Sequence, residues 1–200
     1  MRSQLYDKMK DEELVREYVS TQQNIYFEEI YDRYSEKVYR KCFSFTGDTA
    51  KAEDLAHDIF LKVITKIGTF KENARFSTWL YSITYNYCMD NIRKQKKMRE
   101  EAWDDRMEFV EEEVDTELLG MKAEGLHKSL EQVSPQEKAM LLMKYQDDFS
   151  IKEIAETFEL SESATKMRLM RTKEKMKKLY LEHVALFALI ALKILLFFKK

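Results

Sequence analysis

The chain has 200 residues, of which 44% are hydrophobic and 35% charged, so it is long enough for one or two domains with real cores. One proline and four glycines are few helix breakers, and this predicts an almost entirely helical protein. Cys42 and Cys88 do not belong to any CxxC motif or Cys/His cluster, which argues against a disulfide framework and a zinc site. The N-terminus lacks the apolar core of a secretory signal, which argues against export. Both observations favour the cytoplasm.

Four helices are predicted in the first 99 residues. The first three cover residues 11–20, 25–45 and 49–67, because apolar residues recur there at helical spacing. Gly47 and Asp48 separate the second helix from the third, and Gly68 ends the third. In the fourth helix the predicted core stripe is Phe76, Leu80, Ile83 and Tyr87, which leaves Tyr81 and Tyr85 for another surface. These helices are expected to pack as one N-terminal bundle.

The fourth helix ends in a basic run. No acidic residue occurs between Asn91 and Arg99, but five basic residues do: Arg93, Lys94, Lys96, Lys97 and Arg99. This density of positive charge suits the binding of phosphates. Exposed aromatic side chains beside such a run can stack on unpaired bases. An alternative reading is that the aromatics fill the core and the basic run is a solvated helix end.

Residues 100–124 are strongly acidic. They include eleven acidic residues and only two basic ones, Arg106 and Lys122, so their net charge is −9, and bulky apolar residues are few. Blocks of like charge repel each other and stay extended, which predicts an acidic linker. A merely solubilising tether would have the same composition.

A second helical domain is predicted over residues 125–182. Ser134 and Ser150 each open a capping box, and Pro135 occupies a first helical position. A short helix from Ser150 to Phe158, with Ile151, Ile154, Ala155 and Leu160 as expected buried positions, precedes a tight turn and a long basic helix that starts at Glu162. Residues 166–178 hold seven bases against one acid. This order is typical of a helix-turn-helix, although a chance pair of amphipathic helices remains the alternative.

Four segments in this order closely resemble bacterial extracytoplasmic-function sigma factors of the sigma-70 family. They are FEEIYDRYSEKVYR, TGDTAKAEDLAHDIFLKV, RFSTWLYSITYNYCMDNIRKQKK and SPQEKAMLLMKYQDDFSIKEIAETFELSESATKMRLMRTKEKMKKL. The resemblance implies an all-α protein with a region 2 domain (1–99) and a region 4 domain (125–182), joined by the linker without a region 3. It implies promoter-specific initiation with core RNA polymerase, no catalytic residues and no cofactor.

The resemblance also assigns three sets of residues. For binding core RNA polymerase it suggests an acidic face beside an exposed aromatic: Glu53, Asp54, Asp58 and Phe60. For the minus-ten element it suggests a base-capturing loop and the following helix: Phe70, Asn73, Trp79, Tyr85, Asn86, Asp90, Arg93, Lys94 and Lys97. For the minus-thirty-five element it suggests the start and outer face of the recognition helix: Ser161, Ser163, Thr165, Lys166, Arg168, Arg171 and Lys175.

Two other functions fit parts of the sequence. A stand-alone helix-turn-helix regulator leaves the N-terminal bundle unexplained. A di-metal carboxylate enzyme would use the acid-x-x-His pairs Asp54–His57 and Glu124–His127, but Gly125 weakens the second helix and no inward pair of glutamates completes the set.

The last segment, 183–200, is not covered by the resemblance. Residues 184–198 are apolar except for Lys193, and as a helix they span about 22 Å, less than the ~30 Å of a bilayer core. We expect this helix to lie on the membrane surface or to dock into a partner such as an anti-sigma factor. Folding back onto the protein's own core is the alternative.

Overall fold

The computed structural model describes residues 6–72, 74–102, 125–126 and 128–198. The chain divides into two compact units, Met1–Val110 and Glu111–Lys200. Within the described residues the regular structure is helical and no strand occurs, which confirms the all-α prediction. The predicted acidic linker lies outside the described residues after Ala102, where the last helix of the first unit ends.

The first unit contains four α-helices close to the predicted positions. They are α1 (Asp11–Thr21), α2 (Asn24–Thr46), α3 (Thr49–Lys66) and α4 (Phe76–Ala102). Gly47 ends α2 with a φ of 60°, a left-handed conformation that glycine adopts without strain. The Asp48 side chain then accepts a hydrogen bond from Lys51 N and caps α3, as the sequence predicts.

The core of this unit lies where α2, α3 and α4 pack together. Ile30, Val38, Ile59 and Leu80 are among its fully buried side chains. The cysteines are buried and free, as predicted, with their sulfurs 4.0 Å apart across α2 and α4. The hydrogen bond to Cys42 and burial raise the pKa of the Cys88 thiol, so the pair behaves as small apolar side chains.

The buried stripe of α4 differs from the predicted one. Phe76 and Leu80 are buried as expected, but the stripe continues through a different set of residues: Tyr81, Thr84, Tyr85, Cys88 and Met89. Ile83 and Tyr87 are only half-buried. The prediction that Tyr81 and Tyr85 face another surface is therefore wrong. Both rings face inward, and the ammonium of Lys41, a buried residue of α2, lies 4.2 Å and 5.5 Å from their centroids.

The second unit contains the predicted helix-turn-helix. Its helices are α5 (Pro135–Tyr145), α6 (Ile151–Thr157) and α7 (Glu162–Phe198). Both predicted capping boxes are present, at Ser134 and at Ser150. Ile154 and Ala155 of α6 are buried against α7 as expected, whereas Ile151 and Leu160 are half-buried.

The apolar segment 184–198 continues α7 without a break to Phe198. No helix among the described residues is long and apolar enough to cross a membrane.

Candidate nucleic-acid interface

The outer face of α4 carries most of the predicted minus-ten residues. Five of these residues lie on one side of the helix, because the spacings between them are seven, four, three and four residues. They are Trp79, Asn86, Asp90, Arg93 and Lys97. The last four are exposed, and Trp79 is half-buried at the start of the row. The row is about 27 Å long at ~1.5 Å per residue. Its far end is basic, although Arg93 also contacts Asp90 at 3.3 Å.

Tyr85 does not belong to this face. It is fully buried, on the inward side of α4, with its ring edge-on to Phe45 at 5.9 Å. We therefore remove Tyr85 from the candidate interface. Lys94, one residue past Arg93, is exposed at the edge of the row. The predicted Asn73 lies outside the described residues.

An aromatic cluster joins the loop before α4 to the outer face. The ring of Phe70 lies 5.6 Å from that of Phe76 and 5.7 Å from that of Trp79. Phe76 is fully buried and so fixes the position of the other two rings, which are half-buried. Such a cluster can offer a ring face to an unstacked base without itself moving.

The acidic face predicted on α3 is present. Glu53, Asp54 and Asp58 are exposed on one side of the helix, together with His57. Asp58 accepts a hydrogen bond of 2.8 Å from the hydroxyl of Tyr87 on α4, which raises the pKa of Tyr87. The carboxylate of Asp58 is thereby held at a fixed position.

The exposed apolar residue of this face is not the one predicted. Phe60 is buried, with its ring 4.7 Å from that of Tyr31, so the prediction of an exposed aromatic is wrong. Leu61, three residues after Asp58 on the same side of α3, is 63% exposed instead. Phe60 lines a shallow groove between α2 and α3, about 160 Å³ in volume, together with Glu53 and His57. A face with carboxylates beside an exposed apolar side chain suits a basic, amphipathic partner helix.

Helix α7, the predicted recognition helix, has one buried side and one basic side. Its buried residues are Thr165, Leu169, Thr172 and Met176. The Ser161 hydroxyl accepts a 3.2 Å hydrogen bond from Ala164 N and caps the helix as predicted. Thr165 is fully buried and its hydroxyl donates to Ser161 O, so we remove it from the base-reading set.

The remaining predicted residues of α7 are exposed: Ser161, Ser163, Lys166, Arg168, Arg171 and Lys175. Two of them already have partners on α5. Arg168 donates to Gln136 at 3.2 Å, and Lys175 lies 3.4 Å from Glu137. Lys166 and Arg171 are therefore the cations most available for a phosphate or a base edge.

Met167 and Met170 also belong to the exposed side of α7, although the sequence did not indicate them as candidates. They are 45% and 49% exposed, and they lie between Ser163 and Arg171 on the side opposite the buried residues. An exposed apolar side chain in such a position could contact a thymine methyl group in a major groove. The sequence signal was their spacing from Thr165 and Leu169, which places both outside the buried stripe.

The di-metal alternative gains no support from the geometry. Asp54 and His57 are exposed on α3, and the second pair, Glu124 and His127, lies outside the described residues. In the part of the chain that the structure describes, no three His, Cys, Asp or Glu side chains are grouped so as to hold a metal ion.

Comparison with known families defines the class of protein. The family model for sigma-70 region 2 matches residues 30–98, and the model for sigma-70 region 4 matches residues 123–176. Together the two models match more than half of the chain, in the order of the two units described above. The class is therefore that of the sigma-70 transcription initiation factors, which are not enzymes.

Individual relatives give the subfamily. The chain is 28% identical over 163 residues to the ECF RNA polymerase sigma factor SigW of Bacillus subtilis, covering 76% of this chain and 87% of SigW. It is 26% identical over 148 residues to SigX of the same organism, covering 70% of this chain and 76% of SigX. The protein belongs to the extracytoplasmic-function sigma factors.

Solved structures agree on the fold. The sigma factor RpoE of Bartonella quintana, solved with the anti-sigma factor NepR, matches with a TM-score of 0.63 at 19% identity, over 76% of this chain and 95% of RpoE. CnrH, solved with the cytosolic domain of CnrY, matches with a TM-score of 0.59 at 18% identity, over 84% of this chain and 96% of CnrH.

Proposed function

We propose that this protein binds bacterial core RNA polymerase and directs promoter-specific initiation. In this proposal α7 reads the minus-thirty-five element, and the loop before α4 with the outer face of α4 captures and holds the melted minus-ten strand. The observation that carries it is that each unit turns one helix outward with exposed cations, α4 in the first and α7 in the second. A stand-alone helix-turn-helix regulator would need only the basic helix of the second unit, α7.

The face around Leu61 is the proposed site for core polymerase. Glu53 and Asp54 have no hydrogen-bond or ion-pair partner among the described residues, so their charges are available to a basic helix. Leu61 supplies the apolar centre that becomes buried on binding. Asp58 contributes from the fixed position that Tyr87 gives it.

On α7 the proposed contacts divide by type. Lys166 and Arg171 are assigned to phosphates or guanine edges, and Ser163 to a base edge or phosphate near the helix start. Met167 and Met170 are assigned to apolar contact with thymine. Phosphate contacts position the helix, and the base contacts give specificity.

The test is reconstitution. Purified protein mixed with bacterial core polymerase is expected to yield specific transcripts from a pool of duplex DNA fragments, whereas either component alone yields none. A stand-alone regulator would bind its site without core polymerase and give no core-dependent transcript. Failure of the protein to bind core in a pull-down would contradict the proposal.

An anti-sigma factor is the proposed regulator. RpoE, which shares the fold, was solved in complex with the anti-sigma factor NepR. The apolar segment 184–198 is the part of α7 proposed to dock into that partner, with the membrane surface as the alternative. Cell fractionation distinguishes docking into the partner from binding to the membrane. In cells that lack the anti-sigma factor, the chain with residues 184–200 should enter the membrane fraction only if the segment binds the membrane, and the chain without these residues should stay out of it.

A further inference from the structure

Helix α1 contacts the loop before α4 at two places. Arg16 donates two hydrogen bonds to Glu72, from Nε to Oε1 at 3.2 Å and from Nη2 to Oε2 at 2.7 Å. Glu12 Oε1 accepts a hydrogen bond of 2.9 Å from the backbone N of Phe76. Helix α1 precedes the segment that the region 2 family model matches, which begins at residue 30.

The Glu12 contact caps a helix from outside its own sequence. The first backbone N–H groups of a helix have no partner within it and need an acceptor. The residue before Phe76 is Arg75, whose side chain has no oxygen that could cap the helix. Glu12 supplies the oxygen from α1, and the negative charge is favourable at the positive end of α4.

The Arg16 contact holds the other end of the loop. Glu72 has a φ of 52°, in the left-handed region that non-glycine residues rarely adopt. The paired hydrogen bonds from Arg16, which lower the pKa of Glu72, favour the ionised side chain in this one arrangement. The two contacts therefore hold residues 72 and 76, close in sequence to the aromatic pair Phe70 and Trp79.

We propose that Glu12 and Arg16 are positioning residues for promoter melting, which hold the loop in the conformation that captures an unstacked minus-ten base. This rests on the proposed function of the loop. Neither side chain needs to touch DNA. Their role is to keep the capture site formed before a base arrives, so that the binding energy is spent on opening the duplex and not on ordering the loop.

The experiment compares duplex with pre-melted promoters. A promoter is first selected by the wild-type holoenzyme from a random-sequence library, and a second template carries the same sequence with a mismatched bubble at the minus-ten element. Glu12→Ala and Arg16→Ala holoenzymes are expected to lose activity on the duplex, by about three- to thirtyfold for loss of the cap and about two- to fivefold for loss of the exposed pair. On the bubble template, where opening is already complete, the loss should shrink to about twofold or less.

Matched variants separate positioning from folding. Glu12→Gln keeps an oxygen acceptor for Phe76 N and should retain most of the duplex activity. The double variant Arg16→Glu with Glu72→Arg should recover activity that each single change loses. Arg40→Ala removes another exposed ion pair, with Glu36 on α2, where Nε and Oε1 are 2.7 Å apart, and should leave the duplex-to-bubble ratio unchanged.

Two results would overturn the inference. The first is an equal loss on duplex and bubble templates, which would mean that α1 only stabilises the fold. The second is wild-type activity of both alanine variants on the duplex. If the wild-type holoenzyme itself gives no specific transcript, the proposed function fails, and this outcome is distinguishable from either of the other two.

Discussion

Truncation of Leu61 tests the proposed polymerase-binding face most selectively. The side chain is 63% exposed, although α3 has a continuous buried stripe of its own. Full burial of a leucine side chain contributes about 1.5–3 kcal/mol. Burying the exposed fraction is then worth about 1–2 kcal/mol, so Leu61→Ala should weaken the Kd for core polymerase by about 5- to 25-fold.

The assay is competition for core polymerase against a fluorescent wild-type chain, followed by anisotropy. Val19→Ala on α1 is the matched control, because Val19 is also an exposed aliphatic residue of the first unit but lies outside the proposed face. The thermal stability of Leu61→Ala should fall by about 1 kcal/mol or less, since little of its side chain is buried in the free protein. An unchanged Kd for Leu61→Ala, or an equal change for Val19→Ala, would refute the assignment of this face.

Three further predictions concern the second unit. Arg171→Ala should lower the affinity for the selected promoter, and it should reduce the slope of log K against log salt concentration by about one. Lys175→Ala should have a smaller effect on both quantities, because Lys175 already has Glu137 as a partner. Gel shifts of holoenzyme at several salt concentrations measure both quantities. Met167→Ala with Met170→Ala should reduce the preference for thymine at one minus-thirty-five position and leave the salt slope unchanged, as read by repeating the library selection. The pKa of Glu137 is lowered in the folded protein, so its contribution to stability should be present above a pH of about 4.5 and lost as the pH falls below it. Thermal melts from neutral to acid pH should therefore show a larger loss of stability in the wild type than in Glu137→Gln.

The direction of that pH effect follows from the surroundings of Glu137. Burial alone raises the pKa of this carboxyl group, but the hydrogen bonds with Ser134 in the capping box and the nearby charge of Lys175 outweigh burial. The ionised form is therefore the one that the folded state favours. A stability that rose on acidification through this range would contradict the argument.

Local signals predicted the fold of this protein well. The capping boxes at Ser134 and Ser150 and the break at Gly47 and Asp48 lie where the sequence indicates, because each depends on residues within one turn of chain. The family resemblance then supplied the order of the two units. Both kinds of information are present in the sequence itself.

Side-chain direction was harder to predict. In α4 a stripe through Ile83 and Tyr87 and a stripe through Tyr81 and Tyr85 both carry large apolar side chains, and the second is the one that packs against α2, beside Lys41. Hydropathy does not distinguish neighbouring apolar residues, and only the packing against other helices does so.

Contacts between distant segments could not be predicted at all. The ring of Phe60 on α3 lies 4.7 Å from that of Tyr31 on α2, which is 29 residues away in sequence. The hydrogen bond from Phe76 N to Glu12 spans 64 residues, and the Arg16–Glu72 pair spans 56. Such pairs carry no periodic signal in a single sequence.

In the proposed function the two units act together on one promoter through core polymerase. Permanganate footprinting of the selected promoter, which detects unpaired thymines, tests this directly. Holoenzyme containing the wild-type chain is expected to make thymines of the minus-ten element reactive, while core polymerase alone and the protein alone leave the duplex closed. Reactive thymines with the protein alone, or a closed duplex with the complete holoenzyme, would show that the protein is not a sigma factor that melts this promoter.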